Sequence, residues 1–391
     1  MSLLRLLLVP LLLVISTALP GLELTEAQRA ELERLAPGLE LTEELVAKLE
    51  AIAYNPELSL EERIKRMQEL TGIERFPEGE TLKRKICIWD IAGRSGPIYQ
   101  AAMDQRARAL EYGIELDMIP YTNEGVMVEA FKSGQCDAAL MSGLRARHFN
   151  DFTGTVDAVG AVPDMKHMKT LMKVLAHPSS RNKMVQGEYV IMGIATGGGA
   201  YVFVDDRKIN SLAKAAGKRV AVLDYDDQQA KMVSSIGATP VRTSMVKAPG
   251  MFNDGVVDIL AAPLAAYEAM ELYKGLKPDG GIIDYPLSMI TMQLVGRRDK
   301  FPNIGAQFVR EEFYNRFDEI RRRVEAEAGK VPEKWFIDIP EEDKAEYEAM
   351  MREARIELRK QGYYDPEMLE LQRRIRCKYD PGRAECTQNS E

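Results

Sequence analysis

The side chains of this sequence that are best suited to chemistry are polar and aromatic residues placed directly after predicted strands. The first half of the chain supplies Trp89, Asp90, Arg94, Ser95, Tyr121, Asn123 and Glu124. A third loop and the second half supply Ser142, Arg145, Thr196, Gly197, Asp224, Tyr225 and Tyr267. A few converging polar groups beside aromatic rings are typical of sites that hold a small molecule. We therefore predict that these residues bind a ligand.

Signatures of catalysis are scarce in the sequence. The three histidines, His148, His167 and His177, form no metal-binding or triad pattern, and the glycines at 197–199 lack the spacing and the lysine of a phosphate-binding loop. The run from residue 165 to 176 places methionines at helical spacing, which we interpret as core packing in preference to a copper site. The sequence thus predicts no catalytic residue, no metal and no cofactor.

Predicted strands and helices alternate between residues 86 and 142, and they must position the candidate ligand-binding residues of the first half of the chain. Ile86 to Asp90, Ile114 to Ile119 and the run ending at Ser142 have the composition of buried strands, with helical segments between them. This β-α-β-α-β order implies parallel strands. Ligands of such sheets lie beyond the carboxyl ends of the strands, so the loops after these strands share one rim.

The second half of the chain echoes the first. In each half a helix leads into Gly-x-x-Asp and a short apolar strand, at 134–140 and again at 255–261. Between them, the stretch 188–206 contains two β-rich runs around three glycines, which predicts a hinge at Thr196 to Gly199. A return strand near Tyr285 to Gln293 completes the crossover. We expect two α/β lobes around a cleft that closes by hinge motion.

The net charge of the chain indicates which partners are excluded, and its first residues indicate the cellular compartment. The net charge of −8, with basic and acidic residues mixed, argues against nucleic acid as a partner. Residues 1–18 combine Arg5, a short apolar run and small residues at 16–18, so we predict a secretory signal cleaved after Ala18 in preference to an uncleaved membrane anchor. We expect a periplasmic protein that does not span the membrane after cleavage.

The four cysteines suit an oxidising compartment. Cys377 and Cys386 flank an Asp-Pro-Gly turn, and we predict a disulfide between them. Cys87 and Cys136 begin two strands that we place side by side. For this pair the pattern leaves two alternatives open, a second disulfide or two buried free thiols.

These features divide the chain into five predicted segments. A helical prefix carries a duplicated Pro-Gly-Leu-Glu-Leu-Thr-Glu motif, and Ser59 with Glu62 has the spacing of a capping box. We predict C-terminal helices at Gln307 to Ala328, Glu341 to Gln361 and Pro366 to Arg376. They are rich in alternating Glu and Arg, which is typical of a solvated face. The segments are a signal (1–18), the helical prefix (19–80), lobe I (81–195, with the return strand near 285–300), lobe II (196–284), and bracing helices with a disulfide-closed tail (301–391).

Several stretches resemble a known family. They are the run from Gly125 to Met141, the run from Ala216 to Val222 followed by Ile236 to Val241, and the motifs Gly255 to Asp258 and Pro263 to Tyr267. Together they resemble the substrate-binding subunit of tripartite ATP-independent periplasmic (TRAP) transporters, of the DctP type, over roughly residues 84–300. The resemblance implies an α/β, type II-like periplasmic-binding-protein fold, with helical extensions at both ends. It also implies capture of a small organic acid and delivery to a membrane permease.

Two positions depart from that family's pattern. Its usual ligand-binding arginine corresponds to Ala221, and its usual asparagine corresponds to Ala262. Arginine is the natural carboxylate clamp, so an anionic ligand would need Arg94 or Arg145, together with the helix start at Ser95 to Pro97. We therefore predict a solute-binding protein for a small polar or anionic molecule. The alternatives are a sensor or partner-binding envelope protein on the same fold and, third, an enzyme.

Overall fold

The computed structural model describes residues 26–73, 76–111 and 113–388. The predicted signal segment, residues 1–18, and the start of the predicted prefix lie outside these ranges. No helix within the described ranges is long and apolar enough to cross a membrane.

Helices and strands alternate along the described chain, which confirms the predicted α/β class. The elements up to residue 176 are α1 (Glu26–Leu35), α2 (Glu43–Ala53), α3 (Leu60–Thr71), β1 (Leu82–Trp89), α4 (Pro97–Glu111), β2 (Ile114–Tyr121), α5 (Glu124–Lys132), β3 (Ala138–Ser142), α6 (Gly143–Ala146), α7 (Asp151–Gly154) and α8 (Met165–Ala176).

The remaining elements continue the alternation and end in helices. They are β4 (Val185–Gln186), β5 (Tyr189–Val204), α9 (Leu212–Ala215), β6 (Arg219–Leu223), α10 (Asp227–Ser235), β7 (Thr239–Thr243), α11 (Ala248–Asn253), β8 (Ile259–Pro263), β9 (Gly281–Ile283), β10 (Ser288–Arg297), α12 (Asn303–Asn315), α13 (Phe317–Ala328), β11 (Phe336–Ile337), α14 (Glu341–Lys360), α15 (Pro366–Tyr379) and α16 (Ala384–Gln388).

The contacts within the chain divide it into two compact units. Unit 1 comprises the residues up to Met141 with Met172–Ile194 and Gln293–Asn315, and unit 2 comprises Ser142–Leu171, Ala195–Met292 and the residues from Arg316 onward. Strands β5 and β10 and helix α8 therefore have residues in both units.

The stretch Ser142–Leu171 belongs to unit 2, whereas the sequence prediction placed it in lobe I. Its partners lie far along the chain. The Gly160 N–H donates to the Leu287 carbonyl at 2.8 Å, and the Gln372 amide donates to the Val156 carbonyl at 2.9 Å. Local sequence patterns do not reveal pairings across such distances.

Strands β1, β2 and β3 of the sheet in unit 1 are parallel. Strand β1 pairs with β2 from Leu82↔Ile114 to Trp89↔Tyr121, and its other edge pairs in parallel with β3. The order continues from β3 to β10 and β5. A disulfide between Cys87 and Cys136, with Cα atoms 5.8 Å apart, links β1 to the turn before β3. The sequence left open either a disulfide or two free thiols for this pair, and the structure has the disulfide.

The helical prefix packs into the core of unit 1. Leu49 of α2 and Ile64 of α3 are fully buried in one hydrophobic cluster with Leu82 of β1 and Phe308 of α12. The predicted capping box of Ser59 and Glu62 begins α3.

Two buried arginines join the prefix to the rest of unit 1. Arg84 of β1 makes two hydrogen bonds to the Glu31 carboxylate of α1, at 2.8 and 2.9 Å, and Arg63 of α3 pairs with Glu311 of α12. Such bidentate pairs fix geometry as well as adding energy. The prefix is therefore an integral layer of unit 1.

The glycine triplet of β5 does not divide the strand in the way that the sequence suggested. Strand β5 is continuous over 16 residues, and its Gly198 has a φ of 90°. The Gly198 N–H donates to the Thr196 hydroxyl at 3.2 Å. A Cβ at Gly198 would come within 2.8 Å of the Val324 side chain. The glycines are needed here for a left-handed backbone and close packing inside one strand.

The sheet of unit 2 is mixed. Strand β8 is antiparallel to β5, with Ala200↔Pro263 at one end and Val204↔Ile259 at the other, and parallel to β6. Strand β6 is in turn parallel to β7. Strand β9 is also antiparallel to β5. Strand β11 pairs in parallel with β9.

The C-terminal helices depart from their prediction in two respects. The single helix predicted from Gln307 to residue 328 is interrupted at Arg316, which separates α12 from α13. In addition, Arg376 of α15 is fully buried, whereas the Glu/Arg pattern indicated a solvated face. The Arg376 guanidinium donates to the Glu385 carboxylate at 3.0 Å and to the Ala161 carbonyl at 2.7 Å. These acceptors satisfy a charge that burial would otherwise make costly.

The predicted disulfide between Cys377 and Cys386 is present, with Cα atoms 5.6 Å apart. It closes the turn between α15 and α16, as the Asp-Pro-Gly sequence indicated.

A substitution in α2 tests whether the prefix contributes to the stability of unit 1. Leu49→Ala should lower the free energy of unfolding by about 2–5 kcal/mol, because it leaves a cavity among fully buried side chains. Urea denaturation of the purified protein measures this change. Lys48→Ala, one residue away with an exposed side chain, should change the value by less than about 0.5 kcal/mol. Equal values for the two variants would show that the prefix is not part of the cooperative core.

Candidate functional site

The first predicted loop in unit 1 is organised by Asp90. Its backbone N–H continues the pairing of β1 with β2 by donating to the Tyr121 carbonyl at 3.0 Å. Its carboxylate accepts hydrogen bonds from the Ala92 N–H on one oxygen and from the Ile98 and Tyr99 N–H groups on the other, at 2.8–3.0 Å. Asp90 is only 1% exposed. It is therefore an internal cap for α4.

This cap corrects the prediction that the helix start at Ser95 to Pro97 holds the charge of a ligand. The N–H groups of the first turn already bond to the Asp90 carboxylate, the anion that a helix start prefers. The site is also sterically closed, because a Cβ at Gly96 would overlap the Asp90 carboxyl group. The chain itself supplies the anion that we expected from a ligand.

The other predicted residues of unit 1 lie around the same strand ends. Trp89 and Tyr121 are register partners on β1 and β2, and Trp89 is buried. The exposed Asn123 caps α5 by accepting from the Val126 N–H at 3.1 Å, while Glu124 is buried at the first position of that helix.

The two residues nearest the start of α4 are exposed. Arg94 has an exposed side chain, and the Ser95 hydroxyl donates to the Ala92 carbonyl at 3.0 Å. Like Asn123, Ser95 bonds to the local backbone.

Arg145 and Tyr225, which the sequence prediction assigned to different lobes, are in contact within unit 2. The Arg145 guanidinium lies over the Tyr225 ring, 3.4 Å from its centroid, and Ser142 caps the short helix α6 that carries Arg145. His148 meets the edge of the same tyrosine ring, with ring centroids 6.2 Å apart. Tyr225 is in the loop after β6. The third loop of the first half and the first loop of the second half are thus brought together.

A second arginine–tyrosine contact lies close by in sequence and was missed by the prediction. Arg147 lies 3.9 Å from the ring centroid of Tyr363 and 5.0 Å from that of Tyr364, and it is 7% exposed. Its Nε and Nη2 donate to the Gly154 carbonyl. The adjacent tyrosines between two predicted helices were the available signal, but their distance from residue 147 in sequence hid the pairing.

Asp226 connects Tyr363 to the loop that holds Tyr225. One oxygen of its carboxylate caps α10 by accepting from Gln228 and Gln229, and the other accepts from the Tyr363 hydroxyl at 2.6 Å. Burial raises the pKa of the Tyr363 hydroxyl above its usual value, so the tyrosine donates to Asp226 as a neutral phenol at physiological pH. We name Arg145, Arg147, Tyr225, Asp226, Tyr363 and Tyr364 the arginine–tyrosine cluster.

The remaining predicted residues of unit 2 are not among those contacts. Tyr267 is buried in a hydrophobic cluster, where its hydroxyl accepts from the Trp335 indole N–H at 3.0 Å. Thr196 is buried, bonding to Gly198 and to the sulfur of Met165, and Gly197 lies beside Ile290. Asp224 is exposed, with its backbone N–H paired to Thr243. The structure gives Tyr267 and Thr196 internal partners.

A buried carboxyl group, also missed by the prediction, lies beneath the start of α6. Asp157 accepts hydrogen bonds from the Thr291 hydroxyl at 2.6 Å and from the Thr291 N–H at 3.1 Å. A Cβ at Gly143 would overlap both side chains, so the glycine permits this approach. Burial raises the pKa of Asp157 to about 7, against the opposing effects of Thr291 and the nearby Arg147.

The arginine–tyrosine cluster combines groups whose chemistry suits recognition. Guanidinium groups present a planar set of N–H donors that matches a carboxylate, and stacking on an aromatic ring holds that plane in place. Guanidinium groups held in this way are suited to contacts with polar or anionic groups.

Solved structures with a similar fold define the fold class of this chain. The TRAP periplasmic solute-binding protein from Desulfovibrio salexigens, with bound orotic acid, matches with a TM-score of 0.64 at 14% identity, over 76% of this chain and 99% of its own. That from Xanthobacter autotrophicus, with bound β-D-galacturonate, has a TM-score of 0.61 at 17% identity, with 75% and 99% covered. That from Shewanella oneidensis, with bound succinate, has a TM-score of 0.59 at 11% identity, also with 75% and 99% covered. The fold is that of TRAP periplasmic solute-binding proteins.

Sequence relatives identify the family. The model of the family described as solute-binding protein AdeT 1/2 matches residues 100–391. "Probable solute-binding protein AdeT1" of Acinetobacter baumannii is 40% identical over 304 residues, which are 78% of this chain and all of that relative. "Probable solute-binding protein AdeT2" of the same organism is 26% identical over 233 residues, which are 60% and 98%. The chain belongs to the AdeT 1/2 family of solute-binding proteins.

Replacing the buried carboxyl group tests its raised pKa. An unfolded Asp157 ionises near its ordinary value of 3.8, whereas the folded protein keeps the proton to about pH 7. The stabilising effect of this group is therefore lost as the pH rises between those two values. Relative to Asp157→Asn, the parent should lose as much as ~4 kcal/mol of unfolding free energy between pH 4 and pH 7.5.

Urea denaturation of both proteins at several pH values measures the difference, in which the other titrating groups cancel. Asp254→Asn, which removes an exposed carboxyl group of unit 2, serves as the control. A difference between parent and Asp157→Asn that stays constant with pH would contradict the raised pKa.

Proposed function

We propose that this protein binds a small organic acid through the arginine–tyrosine cluster and delivers it to a membrane transporter. The observation that carries the proposal is the stacking of the Arg145 guanidinium on Tyr225. Stacking uses the face of the guanidinium plane, while the N–H donors that recognise a carboxylate lie in the plane at its edge. Arg147, held by Tyr363 and Tyr364, adds a second positive charge in the same cluster.

Two positions that usually bind the ligand in TRAP substrate-binding subunits are occupied by alanine in this chain. A carboxylate would therefore need a different residue to bind it. Ala221 and Ala262 are buried in the hydrophobic cluster that also contains Phe252 and Tyr267. An apolar environment provides no donor for a carboxylate, and a buried unpaired charge is costly. If the ligand is an acid, its charge must be met elsewhere in the chain. The arginine–tyrosine cluster supports Arg145 for this role over the exposed Arg94, whose helix start is occupied by Asp90.

The structural relatives support an acidic ligand. Orotic acid, galacturonate and succinate, bound by the three proteins described above, each carry a carboxyl group. Membership of the AdeT 1/2 family supports solute capture, and the TRAP-type fold supports delivery to a permease of that class. We propose binding without turnover, so a bound acid should be recovered unchanged from the protein.

Ligand screening of the purified protein tests the proposed clamp. An acid present at about a hundred times its dissociation constant should add about 2.7 kcal/mol to the free energy of unfolding, and so raise the melting temperature by several degrees. Arg145→Gln should abolish the increase, because glutamine cannot offer two charged N–H donors. Arg94→Gln should retain it. The screen compares small acids with neutral polyols of similar size.

The ligand-induced stabilisation of the different variants, taken together, tests the proposal. Tyr225→Ala, which removes the ring beneath Arg145, should weaken binding, while Tyr225→Phe should preserve it. An acid that stabilises Arg145→Gln as well as the parent would exclude Arg145 as the clamp. If only neutral ligands stabilise the parent, the proposed ligand class is wrong but solute binding stands. Loss of uptake of the identified acid in cells lacking the protein would support delivery to a transporter.

We also propose that the protein is exported to the periplasm by its first 18 residues. The sequence of an apolar run followed by small residues supports cleavage after Ala18. N-terminal sequencing of protein from a periplasmic extract should therefore begin at Leu19. A cytosolic protein that still begins at Met1 would overturn the proposal.

A further inference from the structure

A small cavity in unit 1 contains one charged group among apolar side chains. It is lined by Met172 and Leu175 of α8, by Met184 and Ile194, and by Arg310 and Tyr314 of α12. The space open to the centre of a water-sized particle is about 10 Å³. Holding one water takes about 10–15 Å³ by this measure, so the cavity suits one particle of roughly that size.

Arg310 is 3% exposed, and each of its identified hydrogen bonds goes to a neutral acceptor. Nη1 donates to the Ile191 carbonyl at 2.8 Å, and Nη2 donates to the side-chain oxygens of Asn303 and Gln307, both at 2.9 Å. Its Nε has no hydrogen-bond partner among the residues that the structure describes. The guanidinium therefore retains a buried donor beside the cavity.

The carboxylate nearest to Arg310 in sequence, that of Glu311, attracts the Arg310 charge, but its identified hydrogen bonds are to other groups. Glu311 accepts from both terminal nitrogens of the Arg63 guanidinium and also from the Gln307 amide. Burial lowers the pKa of Arg310 to about 10, which leaves it charged at neutral pH.

The aromatic neighbour of Arg310 does not supply a negative charge. Burial raises the pKa of Tyr54 to about 12, so its phenol is neutral at physiological pH. Arg181 places a further positive charge 4.6 Å from the centroid of the Tyr54 ring. The acidic groups nearby are Glu50, which acts on Tyr54, and Glu311, which also pairs with Arg63. None of the identified hydrogen bonds of Arg310 goes to a carboxylate, and a buried charge without such a bond is destabilising.

We propose that the cavity binds a single small monovalent anion, such as chloride, next to Nε of Arg310. Such an ion would satisfy the remaining donor and compensate the buried charge. A water would satisfy the donor but leave the charge. Weakly hydrated halides tolerate the apolar walls formed by Met172, Leu175 and Ile194, whereas a carboxylate or sulfate exceeds the available space.

Thermal unfolding of the purified full chain in different sodium salts tests the proposal. Chloride and bromide should raise the melting temperature by a few degrees in a saturable manner. Gluconate, at the same sodium concentration and pH, should not, because it is too large for the cavity. Identical melting curves in the three salts would mean that the cavity holds water only.

Variants of the cavity separate its effect from general effects of salt. Arg310→Met removes the charge, and Met184→Phe fills the cavity while leaving the guanidinium in place. In both variants the difference between chloride and gluconate should disappear. Arg108→Gln, which removes an exposed arginine of the same unit, should retain it. A halide effect that persists in Met184→Phe would overturn the assignment.

Crystals of the parent grown in sodium bromide provide a test that needs no variant. An anomalous scattering peak within the cavity, about 3.3 Å from Nε of Arg310, is the expected result for a halide held by an N–H donor. A cavity without such a peak at saturating bromide would overturn the proposal, whatever the stability of the variants.

Discussion

The hydrogen-bonding demand of helix N-termini is the constraint on which the predicted ligand loops depend. The first N–H groups of a helix need acceptors. In unit 1 Asp90 follows β1 and caps α4, and in unit 2 Asp226 follows β6 and caps α10. The two halves of the chain therefore use the same device at equivalent places. The identified bonds of Asp90 go to the backbone of its own loop, whereas Asp226 also accepts from Tyr363.

In the proposed function, side-chain cations recognise the acid. A helix start already capped by an internal carboxylate would place a second negative charge beside the first if it received an acid. Arg145 and Arg147 stack on tyrosine rings, whose faces attract a cation, and the Asp226 carboxylate belongs to the same cluster. The tyrosine rings therefore hold the arginine side chains in a fixed orientation.

Local patterns in the sequence were sufficient for most elements of the fold. The strands at 86–90 and 114–119, the capping box at Ser59 and the disulfide at Cys377 were predictable because period, spacing and turn residues report on near neighbours. The continuous path of β5 was not, because glycine content cannot distinguish a flexible joint from a closely packed strand. The pairing of Arg147 with Tyr363 was also hidden, because contacts between residues so far apart in sequence leave no mark in either local segment.

Because the prefix packs into unit 1, the start of the family match and the start of the packed unit lie at different residues. The AdeT 1/2 family model begins to match at residue 100, yet β1 (Leu82–Trp89) lies between β2 and β3 in the sheet of unit 1. A fragment that began at the family boundary would lack this central strand and one cysteine of the first disulfide. It would also uncover the side of α12 that Ile64 and Arg63 protect, and apolar surface of that kind promotes aggregation. For this chain the region matched by the family model is shorter than the region whose side chains pack together in unit 1.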